Sequence, residues 1–172
     1  ILMANSLGIL TTFFGDVPYS EAFQGDEGLI QPAYDTQAEI YTSIQQLLEE
    51  GITDLSGDPG VIQPASDDYI HGGEADLWIS TAYGLLARYQ LQQSNYEAAA
   101  SALANALSSN ADNALFPFEE TITGANPYWL FENDRTATMS THPYFRSIMT
   151  GDPRYDDYIG SNNGFASQFW TS

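Results

Sequence analysis

The stretch Glu74-Ala75-Asp76-Leu77-Trp78-Ile79-Ser80-Thr81-Ala82-Tyr83-Gly84-Leu85-Leu86-Ala87-Arg88-Tyr89, running on through Gln93-Ser94-Asn95-Tyr96-Glu97 to Leu107, decides the fold. Leu77, Trp78, Ala82, Leu85, Leu86 and Tyr89 recur at the spacing of one buried helical face. A break at Gln92–Asn95 separates this helix from an alanine-rich second one carrying Tyr96, Ala99, Ala100, Leu103, Ala106 and Leu107. Ser94 and Glu97 have the spacing of a capping box, which predicts the second helix start. Ala87, Ala99 and Ala106 are small enough for close helix approach, with Tyr83, Tyr96 and Leu103 expected to fill the gaps beside them. The stretch therefore reads as an antiparallel helical hairpin over about 74–109.

This hairpin resembles a single tetratricopeptide repeat. One such pair cannot bury both of its faces, so further helices must flank it. The expected class is mostly α, with tetratricopeptide-like helical hairpins and long irregular loops. The other reading of the same pattern is an ordinary αα-hairpin.

The chain has 172 residues, enough for one domain with a core, and residues 1–172 are read as a single helical domain fragment. Hydrophobic residues make up 43%, which excludes a disordered tail. Acidic side chains number 23 against four arginines (Arg88, Arg135, Arg146, Arg154) and no lysine, a formal net charge of −19. Such a field repels nucleic acid and anionic membrane surfaces, so neither is expected as a partner. Self-repulsion of this size is relieved by salt, which points to a saline or halophilic setting, the other reading being an acidic surface that keeps the protein soluble outside the cell. Without cysteine there is no disulfide frame, thiolate metal site or cysteine nucleophile. No run of 18 apolar residues is present. The opening Ile1-Leu2-Met3-Ala4 reads as a helix begun earlier, and Phe169-Trp170 near the end as an aromatic pair needing a packing partner, so a parent chain longer at both ends is expected.

Ile1–Phe14 is predicted helical, ended by Gly15-Asp16, and an extended loop follows to Asp35. Thr36-Gln37-Ala38-Glu39 forms a second capping box. It opens a helix with apolar Ile40, Tyr41, Ile44, Leu47, Leu48, Ile52 and Leu55. Gly51 costs that helix about 1 kcal/mol relative to alanine, predicting a close contact or an early end there. Ser56–Gly73 is a loop, 110–126 is irregular, and Thr141 is the expected cap of a short helix over 143–149. Asp156–Ser172 reads as loop or partial strand.

Four ordered signals carry a more specific resemblance. They are Gly15-Asp16-Val17-Pro18-Tyr19-Ser20-Glu21-Ala22; Pro32-Ala33-Tyr34-Asp35-Thr36-Gln37-Ala38-Glu39-Ile40-Tyr41; Asp67-Asp68-Tyr69-Ile70-His71-Gly72-Gly73 leading to the Trp78 helix with Arg88 near its end; and Gly151-Asp152-Pro153-Arg154-Tyr155. Together they resemble the SusD/RagB family of outer-membrane nutrient-binding lipoproteins of Bacteroidetes. Members are about three times longer, so the match is to a middle segment. The resemblance implies non-catalytic capture of an oligosaccharide at the outward face of the outer membrane, for a SusC-like TonB-dependent transporter. Membrane attachment would come only through a lipid anchor outside this segment. The helical face would serve as scaffold and transporter contact. Trp78, Arg88, Asp152 and Arg154 match family positions and are expected to be structural, Arg88 through a carboxylate or carbonyl partner. The rival reading from another class is a peptide-binding or protein–protein scaffold of tetratricopeptide-like type.

Asn126, Tyr128, Trp129, Asn133, Asp134 and Arg135, with Phe131, form the candidate ligand site. Sugars present apolar C–H faces and a rim of hydroxyls, which an aromatic platform ringed by amides, carboxylate and guanidinium suits. The same rings could instead cap the core between helix layers. Carboxylate pairs such as Asp67/Asp68, Glu119/Glu120 and Asp156/Asp157 arise readily in a chain this acidic, and no enzyme activity is expected from them. His71 and His142 lie too far apart for metal spacing and read as solvated loop residues. No cofactor is expected; Asp152, Asp156 and Asp157 supply the oxygen chemistry of a calcium site but lack EF-hand spacing.

Overall fold

The computed structural model describes residues 1–57, 67–119, 121, 123–135 and 140–159. The side chains of Asn110, Glu132, Asn133 and Asp157 lie outside the described residues, as do the middle of the 56–73 loop, Glu120, and the expected strand and aromatic pair beyond Ile159. Seven α-helices are described: α1 (Leu2–Phe14), α2 (Gln37–Ser56), α3 (Ala75–Gln92), α4 (Tyr96–Leu103), α5 (Pro127–Asp134), α6 (Pro143–Met149) and α7 (Tyr155–Tyr158). An isolated antiparallel bridge joins Val17 to Asp35. The chain forms two compact units, Ile1–Ala114 and Leu115–Ser172.

In the first unit the helices pack in chain order: α1 on α2, α2 on α3, α3 on α4. Ile40, Ile44 and Leu48 of α2 are fully buried, one turn apart each, and face Ala4 and Leu7 of α1 and Ala82, Leu86 and Tyr89 of α3 in one core. Each such aliphatic side chain contributes about 1.5–3 kcal/mol of burial. The Thr36 box forms: the Glu39 amide donates to the Thr36 hydroxyl (3.4 Å), and the Thr36 amide to the Glu39 carboxylate (2.8 Å). The Thr36 hydroxyl, then its amide, hold the Glu39 carboxyl below the usual carboxylate range.

Glycines set two close approaches. A Cβ on Gly51 would lie 3.1 Å from Ile1 Cγ1, so α2 runs through this glycine instead of ending at it. A Cβ on Gly8 would fall 2.1 Å from the ring of Tyr89, whose buried side chain crosses α1 there. Burial raises the Tyr89 phenol above its ordinary value, and its hydroxyl donates to Asn5 O at 3.3 Å.

The turn between α3 and α4 is not the expected capping box. Ser94 takes a left-handed conformation (φ 63°), its amide donating to Leu91 O and the Asn95 amide to Gln90 O. These two bonds are the Schellman closure of α3, so Ser94 ends one helix instead of starting the next. Asn95 stands at the N-cap of α4 with no side-chain capping bond, its Nδ2 donating to Gln90 Oε1 (2.9 Å) instead, and α4 stops at Leu103, short of Leu107, where the backbone tightens into three-residue turns. Ala87 and Ala99 are buried as expected, but Tyr96 and Leu103 project outward at 67% and 63% exposure and fill no gap in this unit.

In the second unit the Asn126 carboxamide accepts the Tyr128 amide (2.9 Å) and Pro127 occupies the first turn, so α5 forms directly after the segment read as irregular over 110–126. α6 is capped by His142, whose Nδ1 accepts the Tyr144 amide (3.2 Å), and not by Thr141. Thr141 is buried, with its carbonyl and hydroxyl taken by Arg146.

Candidate functional site

α5 sorts the predicted site residues by helical geometry. Tyr128, Phe131 and Arg135 stand at i, i+3 and i+7 and share one face. Tyr128 is 65% exposed and Phe131 39%, and the Arg135 guanidinium lies 5.3 Å from the Phe131 ring centre, a cation–π contact. Trp129 is half-buried and projects about 100° away from Tyr128 around the helix. Asn126 sits at the helix start with its amide oxygen committed to the cap, which leaves its NH2 group for a ligand. Asp134 is exposed, and the Asn133 side chain lies outside the described residues. The helix thus assembles Tyr128, Phe131 and Arg135 into a strip and leaves Trp129 off it.

The residues expected to be structural are placed as follows. Trp78 is half-buried, and its indole N–H donates to Asp68 Oδ2 at 2.6 Å. Asp68 also accepts the amides of Ile70, His71 and Gly73. The indole first, then these amides, hold the Asp68 carboxyl down at about 2. His71 is buried, not solvated: its ring meets Trp78 edge-on at 5.0 Å and its Nε2 lies 2.8 Å from the Thr81 hydroxyl. Asp68 therefore ties the loop to the first turn of α3. Arg88 is exposed, its charge lying against the Tyr89 hydroxyl, and no carboxylate reaches it among the described residues. Asp152 accepts Arg154 Nε at 3.0 Å, Nη2 at 2.9 Å and the Arg154 amide at 2.8 Å, closing the turn after Gly151 (φ 86°). Arg154 holds the Asp152 carboxyl at about 2.

Among the described residues no group of three or more acidic or histidine side chains is gathered to hold a metal ion. The Asp68 carboxyl, ionised and saturated with donors, has no proton to give a substrate. Surface hollows are lined by described residues of the first unit. One of ≈ 470 Å³ is apolar, lined by Ile1, Leu2, Met3, Gly51, Leu55 and Trp78 with Asp54 at its edge. One of ≈ 460 Å³ lies at the α3–α4 turn beside Asn95 and Tyr96, and one of ≈ 290 Å³ lies along the acidic side of α2. No described helix is long and apolar enough to cross a membrane.

Residues 1–168 match a family model described as SusD-like, "Starch-binding associating with outer membrane". No curated protein matches the chain. Among solved structures, a chitin-binding protein superposes with a TM-score of 0.66 at 28% identity, over 85% of this chain and 32% of its own. A SusD homolog from Bacteroides fragilis gives 0.55 at 27% identity, over 64% and 25%. A Bacteroides vulgatus protein gives 0.72 at 23% identity, over 90% and 36%, a likeness of fold. The chain thus spans about a quarter to a third of the length of these structures.

Proposed function

The chain belongs to the SusD-like family, and on that premise we propose that it is part of a non-catalytic receptor that captures an oligosaccharide at the outer surface of the outer membrane. The captured glycan is handed to a SusC-like TonB-dependent transporter, and the receptor is held at the membrane by a lipid anchor outside this segment. Residues 1–172 are one segment of a longer helical domain, the structures it resembles being about three times its length. The chitin-binding relative supports a polysaccharide cargo.

The observation that carries the reading to these residues is the exposed strip Tyr128–Phe131–Arg135. Neighbours at i, i+3 hold their Cβ atoms about 5–6 Å apart, so the two rings present a continuous apolar surface to the C–H face of a sugar. Arg135 and the free half of the Asn126 amide supply donors to ring hydroxyls, and Asp134 supplies an acceptor. Trp129, half-buried, lies off this strip and is not part of the platform.

The test is glycan-array binding of the full-length protein beside Tyr128→Ala and Trp129→Ala. The expected result is loss of binding in a folded Tyr128→Ala protein and a smaller loss in Trp129→Ala. Undiminished binding in both would remove the site from α5. No glycan binding by the unmutated protein would favour a peptide cargo.

A further inference from the structure

We infer that the glycan seated on α5 is an extended chain of β-1,4-linked pyranoses with equatorial hydroxyls, laid along the helix; the inference deepens the receptor reading above and rests on it. Tyr128, Phe131 and Arg135 leave the helix on one side. At a rise of 1.5 Å per residue, Phe131 lies about 4.5 Å beyond Tyr128 along the axis and Arg135 about 10.5 Å beyond it. The Arg135 guanidinium folds back toward the Phe131 ring, 5.3 Å from its centre. Two rings and a planar cation thus follow one another in a straight line, in steps close to the length of one pyranose in a chain.

The surface that carries them is convex. A single helix is a cylinder, and Tyr128 and Phe131 stand on its outer side, 65% and 39% exposed. A ridge of this form selects its ligand by linkage. Diequatorial β-1,4 bonds keep successive pyranose rings near one plane, so a straight chain offers its C–H faces to both aromatic rings at once. The axial bond of an α-1,4 chain turns each sugar from the last and coils the chain. A coil is matched by a concave arc of rings, and it meets a ridge with one sugar only.

The groups beside the strip select hydroxyl orientation. An axial hydroxyl on the stacked face would hold the sugar off the rings and lose its water without gaining a partner. Equatorial hydroxyls point outward from the ring edges, and the polar groups of α5 lie at the edges of the strip. The Asn126 NH2 group stands at its start, exposed Asp134 flanks Phe131 about 60° further round the helix, and the Arg135 fork lies at its far end. From Asn126 to Arg135 the helix rises about 13 Å, room for about three sugars in an extended chain.

The test is calorimetric titration of the full-length protein with soluble oligosaccharides of graded length, the chito and cello series against the malto series, repeated with Tyr128→Ala and Phe131→Leu. The β-linked series is expected to bind about tenfold or more tighter than the malto series at equal length. Affinity is expected to rise about three- to tenfold with each added sugar and to level off at about three. Tyr128→Ala removes an exposed side chain and Phe131→Leu keeps apolar volume, so both variants should hold the melting temperature and lose the β-linked preference. Tyr128-dependent binding of the malto series, or of any other glycan, at equal or greater strength would overturn the inference and leave the receptor reading and its site standing. A β-linked preference untouched by both variants would overturn the inference by moving the site off α5. No glycan binding by the folded, unmutated protein would remove the inference and the receptor reading together.

Discussion

Gly8→Ala should destabilise the protein, against helix propensity. Gly8 lies in the interior of α1, where alanine is favoured over glycine by about 1 kcal/mol. The added methyl would sit 2.1 Å from Tyr89 Cζ and Oη and 2.3 Å from Cε1. Carbon contacts need about 3.5–4.0 Å, so the ring must retreat by roughly an ångström or more. Tyr89 is 4% exposed, packed with Ile44 and Leu48 in the core, and has nowhere to go. Overpacking of this kind costs about 1–3 kcal/mol, which matches or exceeds the propensity gain of about 1 kcal/mol and predicts a net loss of up to about 2 kcal/mol. The control is Tyr89→Leu, which is itself destabilising but deletes all three clashing atoms. In that background the same Gly8→Ala change should stabilise by about 1 kcal/mol. Urea unfolding of the four proteins closes the double-mutant cycle, with a coupling of about 2 kcal/mol and a reversal of sign. If Gly8→Ala stabilises the protein with Tyr89 intact, α1 does not rest on this ring and the core described above is wrong.

Two further outcomes follow from the acids. Asp68 and Asp152 titrate at about 2, and Asp35 and Glu39 are held down by their hydrogen bonds, Asp35 first by Ser20 and Glu39 first by Thr36. Groups with folded values below their unfolded ones contribute stability that is complete above about pH 4–4.5 and lost as pH falls toward 2. Melting scans should therefore be flat from neutral pH down to about 5 and fall below 4, less steeply in Asp68→Asn; an identical acid slope in that variant would remove Asp68 from the account. Second, with a formal net charge of −19, the melting temperature should rise from low salt to molar NaCl, and a flat response would refute the saline-setting reading.

Long periodic helices were legible from sequence because their burial is one-sided. Ile40, Ile44 and Leu48 announce α2 by spacing alone, and the structure buries all three completely. The α3–α4 turn was misread for a chemical reason. A serine three residues before a glutamate satisfies a capping box as written, yet the same serine can end the preceding helix in a left-handed turn, and only the backbone decides between them. Asp68 was hidden in a different way. It stood as one of an acidic pair in a chain full of acids, and its role depends on Trp78, ten residues later, folding back onto it. Its neighbour His71 looked solvated because nothing local signals that Trp78 and Thr81 come to cover it.

The α5 cluster shows how a small local signal redistributes a site. Composition alone makes Tyr128, Trp129 and Phe131 equivalent rings in a polar stretch. Asn126-Pro127 removes the equivalence, because a side-chain cap followed by proline starts a helix there. Once the backbone is helical, period 3.6 places Tyr128 and Phe131 together and turns Trp129 aside. The Arg135 guanidinium then stacks on Phe131 one turn further on and extends the strip with a donor. A flexible loop would have had to lose backbone freedom at every residue to align two rings on a ligand, whereas the capped helix has already lost it on folding. That difference makes Tyr128, not the larger Trp129, the residue whose removal should cost most binding.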